Sequence, residues 1–303
     1  MAGVITTGSH PKALWPGVHA WWGRQYNEHK EEFPDLFDEE SSDMAYEEDV
    51  EITGFGLAPQ KIQGETIYYD SETQGAVTRY THVAYALGYI VTYEELRDNL
   101  YAQVSKRRAQ ALAFSMRQTK ENVAANVYNR AFNATYTFGD GTTLISTAHP
   151  TLAGNQSNQL TTAADLSELA IENLVIQIMQ EQNNRGLRIS ALPRSLHVGV
   201  QNWFEANRIY KSILQSNSAE NNINVLRATN VFPDGIKVNH YFTSATAWFI
   251  RTNVPNGMRY FNREAATFDQ DNDFDTKNAK AACYERYSFG MTDFRGIFGT
   301  AGV

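Results

Sequence analysis

The sequence predicts an α+β fold organised around one very long helix. A helical pattern without Gly or Pro runs over residues 92–133. A two-stranded ribbon precedes this helix, because two sets of side chains alternate through 77–91 as they do in a strand. Short strand patterns follow one another from residue 236 to the C-terminus. These three observations predict a mixture of helices and sheets, and no internal repeat is evident.

Residues 1–46 are predicted to form an extended arm. Pro and Gly interrupt every helical window longer than about ten residues. The segment is nevertheless rich in aromatic side chains, which a disordered tail would lack. Its main aromatic residues are Trp15, Trp21, Trp22, Phe33 and Phe37. We therefore expect the arm to lie on another surface, while its acids, concentrated at 28–51, are either solvated or paired with a basic neighbour.

The ribbon is predicted over residues 50–91. Its outgoing strand covers 50–57, where Gly54 and Gly56 weaken the strand pattern. A turn-rich tip at 60–75 leads into the return strand at 77–91. Because a two-stranded ribbon is only marginally stable in water, it needs a surface to lie on, in the same chain or in a neighbour.

The long helix begins with Thr92 and Glu95 in capping-box register. Apolar residues then recur at spacings of three to four residues, or near multiples of them, which predicts a single narrow apolar stripe. About 40 residues at 1.5 Å each give a helix of roughly 60 Å, longer than an average small domain. Such a helix is typical of an extended or assembled structure; an ordinary long helix in a bundle is the alternative.

The remainder of the chain predicts shorter elements. Helices are expected at 162–186, 201–214 and 225–228, and strands at 144–146, 187–192, 195–200, 236–238, 247–251, 258–261, 281–289 and 295–298. Residues 149–162 and 215–224 are polar and are expected to form loops.

Composition limits the class of protein. The chain has 303 residues, 12% of them aromatic, and a net charge of -8, which argues against a basic nucleic-acid-binding face. Its single cysteine excludes an intrachain disulfide and fits a reducing compartment. Neither a signal-peptide pattern nor an apolar run long enough to span a bilayer is present in the sequence. These features predict a soluble intracellular protein.

The search for catalytic chemistry is mostly negative. The sequence contains none of the common phosphate-binding, metalloprotease or nucleophile-elbow motifs. His149 is interpreted as a loop residue and Cys283 as a buried apolar side chain. The densest carboxylate cluster consists of Asp269, Asp271, Asp273 and Asp275, but Phe274 and Lys280 occupy the Gly and Glu positions of a calcium loop. We therefore expect no enzyme activity, cofactor or metal; a soluble enzyme using these carboxylates or His149 is the rival hypothesis.

Five stretches of the sequence resemble a known family. They are HPKALWPGVHAWWG (10–23), YDSETQG (69–75), RAQALAFSMRQTKENVAANVYNRAFN (108–133), LISTAHP (144–150) and ERYSFGMTDFRGIFG (285–299). Together with the order of the elements, they make the chain similar to the major capsid proteins of tailed bacteriophages, and within these to the Mu-like major head subunits. Encapsulins and herpesvirus floor domains share that fold.

The resemblance implies a division of the chain and its function. Residues 1–46 would be the N-arm, 47–91 the E-loop, 92–149 and 250–303 the peripheral domain with its spine helix, and 150–249 the axial domain. The chain would build pentamers and hexamers of an icosahedral head that encloses double-stranded DNA without binding it specifically. It would be a virion component, assembled in the cytoplasm of a bacterial host without contact to a membrane. The alternative within the same fold is an encapsulin-like cargo compartment.

The resemblance also implies partners and contact residues. A portal and a separate scaffolding protein are expected, because the arm pattern begins within about ten residues of Met1; decoration proteins and a cross-link through Lys61 are left open. The candidates for contact between subunits are Trp15, Trp21, Trp22, Phe33, Phe37, Tyr68, Tyr69, Arg107 and Arg108. We expect the tryptophans to be buried against a neighbour rather than in their own core. In at least some cases, the basic residues Arg107, Arg108, Arg117 and Lys120 are expected to face acids of a neighbouring arm or ribbon.

Overall fold

The computed structural model describes residues 22–24, 26–27, 30–94, 101–215 and 222–303, except for the side chains of 101–106. Its helices are α1 (Phe33–Leu36), α2 (Tyr101–Asn129), α3 (Glu168–Met179), α4 (Trp203–Lys211) and α5 (Val225–Ala228). Its strands are β1 (Asp38–Ser41), β2 (Tyr46–Ile52), β3 (Gln74–Thr81), β4 (Val83–Val91), β5 (His149–Thr151), β6 (Gly154–Gln156), β7 (Pro193–Gly199), β8 (Ile236–Asn239), β9 (Trp248–Thr252), β10 (Met258–Asn272), β11 (Ala279–Met291) and β12 (Ile297–Thr300).

The first sheet lies against the long helix. Its strand order is β1-β10-β11-β4, with β1 parallel to β10 and the other pairs antiparallel. Side chains of α2 pack on this sheet through Leu112 and Met116, whereas Tyr128 near the C-terminal end of the helix meets the Phe249 ring of β9 edge-on at 5.2 Å. The predicted long helix is therefore confirmed over residues 101–129.

The second sheet has the order β12-β9-β7-β8. Helices α3, α4 and α5 supply much of its apolar cover, and Trp248, Ile250 and Phe298 are fully buried between them. Because β12 pairs with β9, residues 297–300 lie in the same sheet as strands from 193–252. The division expected at residue 250 therefore does not coincide with the division between the two sheets, and the peripheral and axial assignments stay predictions.

The ribbon is shorter than the sequence suggests. Strand β2 ends at Ile52, before Gly54 and Gly56, and pairs with β3. The second half of the return strand, β4, has no partner left in the ribbon and pairs with β11 of the first sheet instead. Among the described residues, the two-stranded ribbon thus consists of β2, β3 and the irregular tip between them.

Several expected boundaries change for local reasons. Helix α2 ends at Asn129 and not at 133, because tight turns follow and the Ala131 carbonyl accepts from the Ile145 backbone instead. The predicted capping box pairs Thr92 with Glu95, and Glu95 lies outside the described residues. Helix α3 begins at Glu168 and not at 162, because Ser167 caps it by accepting a hydrogen bond from the Ala170 backbone.

Three further expectations were wrong. Residues 144–146 are not a strand, because the Asn158 side chain binds the Leu144 carbonyl and the Ser146 backbone N–H in place of a neighbouring strand. The loop expected at 149–162 contains the short β5–β6 hairpin. Residues 187–192 form only an isolated bridge, through Arg188, rather than the expected strand. The expected helical turn at 225–228 is confirmed.

Candidate subunit-contact surface

Three of the arm's predicted contact aromatics, Trp22, Phe33 and Phe37, lie in the chain's own core. Trp22 is 5% exposed and stacks between Tyr26 and Phe268, with ring centroids 5.0 and 5.5 Å away. Trp15 and Trp21 lie outside the described residues. The expectation that the tryptophans are buried against a neighbour rather than in their own core is therefore wrong for Trp22. Its indole fits a cluster built by α2, β10 and β11.

Phe33 and Phe37 are buried in the same way. Phe33 of α1 meets the Tyr260 ring of the first sheet edge-on at 5.0 Å. Phe37, directly after α1, meets the Tyr128 ring of α2 at 5.8 Å. Both side chains are almost fully covered within their own chain, which leaves little surface for a neighbour. The sequence showed that these aromatics needed apolar cover, but it did not show that α2 of the same chain supplies it.

Glu121 of α2 fixes this part of the arm. One of its carboxylate oxygens accepts from the Glu32 backbone N–H at 2.9 Å and the other from the Phe33 N–H at 3.0 Å. It thereby caps the first turn of α1 from another helix. Burial raises the pKa of Glu121 to about 7, although the two hydrogen bonds act in the opposite direction.

Two basic residues of α2, Arg117 and Lys120, face acids of their own chain. Arg117 pairs with Glu31 and donates twice to the Tyr26 carbonyl, at 3.2 and 3.0 Å. Lys120 lies 3.0 Å from Glu285, which also accepts from the Tyr26 hydroxyl at 3.0 Å. Arg117 and Lys120 therefore pair within their own chain, and the expectation that some of the four basic residues face a neighbour's arm or ribbon stays a prediction for Arg107 and Arg108.

Arg107 and Arg108 lie nearer the N-terminal end of α2. Arg107 is exposed and Arg108 is half-buried. Their predicted role in contact between subunits stays a prediction.

The root of the ribbon, defined as β2, β3 and the connection to β4, is held firmly to the first sheet. Arg259 of β10 pairs with both Asp49 of β2 and Glu40 of β1, and Thr292 donates to Asp49 at 2.7 Å. Tyr80 of β3 reaches the Thr292 hydroxyl at 2.6 Å and lies over Gly290.

His82 occupies the point where the ribbon meets the sheet. Its two ring nitrogens lie 3.1 Å from the Ser42 hydroxyl and 3.0 Å from the Ser288 hydroxyl. Burial, with a further contribution from Arg286, lowers the pKa of His82, so the neutral ring is favoured at this joint.

The tip of the ribbon, residues 53–73, is the most exposed apolar segment that the structure describes. Its exposed apolar side chains are Phe55, Leu57, Ile62, Ile67, Tyr68 and Tyr69. Tyr68 and Tyr69 are 67% and 85% exposed, and their predicted role as contact residues stays a prediction. An apolar surface of this kind usually marks an interaction site.

A second apolar surface surrounds helix α4. Its exposed members are Trp203, Phe204, Ile213, Leu214, Ile223 and Val225. The sequence analysis missed it as a contact surface. The adjacent Trp203–Phe204 pair was the available signal, because neighbouring residues on a helix point about 100° apart, and a narrow core-facing stripe does not accommodate two large rings in succession.

The carboxylate cluster at 269–275 does not form a metal-binding site among the described residues. Asp273 lies in the turn between β10 and β11, where a hydrogen bond from Lys280 at 2.6 Å is the main cause that lowers its pKa. Within the described ranges, no group of three or more His, Cys, Asp or Glu side chains is placed to hold a metal ion. No described helix is long and apolar enough to cross a membrane.

His149 is a buried structural residue and not a loop residue. Its Nδ1 lies 2.5 Å from Asp140 Oδ2, its Nε2 lies 3.0 Å from Asn158 Oδ1, and its ring stacks on Phe294 at 4.2 Å. Burial raises the pKa of Asp140, but hydrogen bonds from His149 and Thr142 outweigh it and hold the value below normal. Since both ring nitrogens are engaged within the fold, neither is left to act as a base on a substrate.

Comparisons with known proteins give consistent results. The family model described as "Phage capsid protein" matches residues 75–299. No curated protein sequence matches the chain.

Three similar solved structures illustrate the likeness in fold. The capsid of a native GTA particle has a TM-score of 0.55 at 11% identity, covering 99% of this chain and 92% of that chain. The structure from Mycobacterium phage Patience has a TM-score of 0.54 at 9% identity, covering 98% and 88%. The virus-like particle from Pyrococcus furiosus has a TM-score of 0.53 at 11% identity, covering 95% and 99%. The expected fold class, that of tailed-phage capsid proteins, is confirmed.

Proposed function

The chain belongs to the phage capsid protein family, and from this premise we propose that it self-assembles into the icosahedral head shell of a tailed phage. The shell encloses packaged double-stranded DNA, and the role is structural rather than catalytic. Pentamers and hexamers of the chain form the shell, and a separate scaffolding protein and a portal complete it. Assembly takes place in the cytoplasm of a bacterial host.

The observation that carries this proposal is that the described residues leave apolar side chains uncovered at both the ribbon tip and the α4 surface. The ribbon tip at 53–73 and the surface around α4 lie on different parts of the chain. Two different surfaces that meet head to tail generate rings or closed shells, whereas one self-complementary surface generates a dimer. Each contact repeats in every copy, so even modest burial at each surface stabilises the whole particle.

The charge of the chain suits an enclosing shell. Strongly basic linings bind DNA phosphates through release of counterions, which would hold the DNA to the wall. The chain carries a net charge of -8, and Arg117, Lys120 and Arg259 are engaged with acids of the same chain. These cations are therefore not free to bind phosphates.

An encapsulin-like cargo compartment is the second candidate. The virus-like particle from Pyrococcus furiosus is similar to the chain over nearly the whole length of both. Such a compartment would use the same surfaces but would enclose protein instead of DNA.

Purified native particles distinguish these possibilities. We expect electron microscopy to show closed shells and nuclease treatment to leave a protected double-stranded DNA inside them. Closed shells that contain a protein and no DNA would support the cargo compartment. A monodisperse monomer at high concentration under every salt condition would contradict both shell functions.

A further inference from the structure

The ribbon tip contacts the body of its own chain at a turn between α3 and β7. Arg185 of this turn donates from Nη2 to the Ser71 carbonyl, and its Nη1 lies 3.8 Å from Asp70 Oδ1. Side chains of both ionic partners are about three-quarters covered, at 23% and 24% exposure. The contact is thus electrostatic and only partly covered from solvent.

Backbone groups of the tip itself hold the Asp70 carboxylate in position for this contact. Its Oδ2 accepts from the Gly56 N–H and its Oδ1 from the Ser71 N–H, both at 2.8 Å. These two backbone hydrogen bonds are the main causes that lower the pKa of Asp70, with a smaller contribution from Arg185. The carboxylate therefore ties the two sides of the tip together and presents a fixed negative charge to Arg185.

Arg185 lies in a turn that side-chain hydrogen bonds hold in place. The Asn183 side chain accepts from the Arg185 and Leu187 backbone N–H groups, both at 2.9 Å, which closes the turn. Arg295, which is almost fully buried, donates to the Gln182 carbonyl at 2.7 Å and to the Asn184 side chain at 2.6 Å. The same guanidinium lies 3.5 Å from Glu51 in β2, so Arg295 also links this turn to the ribbon.

The root and the tip of the ribbon differ in how firmly they are held. The root has the double pairing of Arg259 and the covered Tyr80, whereas the tip has a single, longer and partly exposed ion pair, which salt weakens. Between them, Gly54 has a φ of 65° and β2 has an irregularity between Val50 and Ile52. The ribbon can therefore bend beyond its root if the contact at Arg185 opens.

We propose that Arg185 and Asp70 form a releasable latch that holds the apolar tip on its own chain until a second copy takes it. This inference rests on the proposed function, because the second copy is the neighbour in the shell. The latch lowers the chance that free subunits join through their tips at random. A neighbour's apolar surface displaces it, since burial of several apolar side chains outweighs a partly exposed ion pair.

Hydrogen exchange on the free subunit tests the latch without any assembly. We compare the wild type with Arg185→Gln and, from the ribbon side, with Asp70→Asn. Arg188→Gln is the matched control, because Arg188 is an arginine at the same turn that donates to the Gln180 carbonyl and not to the ribbon. Exchange at 53–73 should rise by roughly threefold in both latch variants and stay unchanged in the control. High salt should raise exchange in the wild type but not in Arg185→Gln.

Light scattering of assembly then tests the role of the latch. Arg185→Gln should associate faster than the wild type at low salt and equally fast at high salt. Unchanged exchange in two folded latch variants would overturn the latch even if the chain still forms shells. If exchange rises but assembly of Arg185→Gln matches that of the wild type at every salt concentration, the latch does not control assembly and the proposal fails. Absence of shells from every variant, the wild type included, would instead overturn the proposed function.

Discussion

At the scale of single residues, the buried charges of α2 decide how the arm is held. Glu121 has a folded-state pKa of about 7, against 4.5 for an ordinary glutamate, and burial is the main cause. The folded chain therefore binds a proton that the unfolded chain releases between these two values. This group thus favours folding most below about pH 4.5 and loses that contribution as the pH rises through 7.

The pH dependence of stability tests the state of Glu121. Between pH 5 and 8 its titration should lower the free energy of unfolding of the wild type by about 2–3 kcal/mol. Glu121→Gln should remove most of this dependence, because an amide does not titrate. Urea denaturation at several pH values measures both. An equal slope in the two proteins would show that Glu121 is not the responsible group.

The Lys120–Glu285 pair gives a second prediction at this scale. Both side chains are almost fully covered, at 7% and 0% exposure. Lys120→Met should destabilise the subunit by about 3–5 kcal/mol, because it leaves the Glu285 carboxylate buried without its cation. Lys120→Met combined with Glu285→Gln should cost clearly less than the single change. A double-mutant cycle in urea checks this, and strictly additive costs would contradict a direct coupling.

At the scale of elements, the sequence predicted what lies within each element better than what each element packs against. The helical pattern identified α2 because a long run without Gly or Pro and with apolar residues at helical spacing permits little else. For Trp22 and Phe33, the same reasoning showed only that apolar cover was needed. Cover from the same chain and cover from a neighbour leave the same pattern in the sequence, so the choice depended on tertiary packing.

The predicted extent of the ribbon and the predicted strand at 144–146 were wrong for a related reason. A strand pattern does not specify its partner, so β4 was expected to pair within the ribbon although β11 is its neighbour. Leu144 and Ser146 have their backbone groups bound by the side chain of Asn158. A side chain that replaces a strand leaves no periodic signal, and only the folded structure reveals it.

The ribbon root gives a prediction about close packing. A Cβ at Gly139 would lie 2.6 Å from the Val77 carbonyl oxygen of β3, and a strand backbone cannot move aside easily. Gly139→Ala should therefore cost about 1–3 kcal/mol and loosen the root. Gly23→Ala is a suitable control, because its Cβ would meet nothing within 4 Å. Hydrogen exchange at 74–81 measures the effect, and equal protection in both variants would contradict the close approach.

At the scale of the whole molecule, the ribbon tip and the α4 surface are two of the apolar surfaces that the described residues leave uncovered, and assembly is the use that we propose for them. Phe204 is 71% exposed on α4, so Phe204→Asp should leave the subunit folded with its stability within about 0.5 kcal/mol. The same change should prevent or strongly slow shell formation, because a carboxylate would be buried at every copy of the contact. Circular dichroism confirms folding and sedimentation measures assembly. Normal shells from this variant would exclude the α4 surface as a contact.

The central claim is that one chain closes a shell by covering the ribbon tip and the α4 surface with neighbouring copies. Cryo-electron microscopy of the native particle, at a resolution that shows side chains, tests it most directly. We expect a closed icosahedral shell in which Tyr68, Tyr69 and Phe204 are buried against other copies while Trp22 stays in its own core. A shell in which both apolar surfaces face solvent, or a particle without closed symmetry, would contradict it.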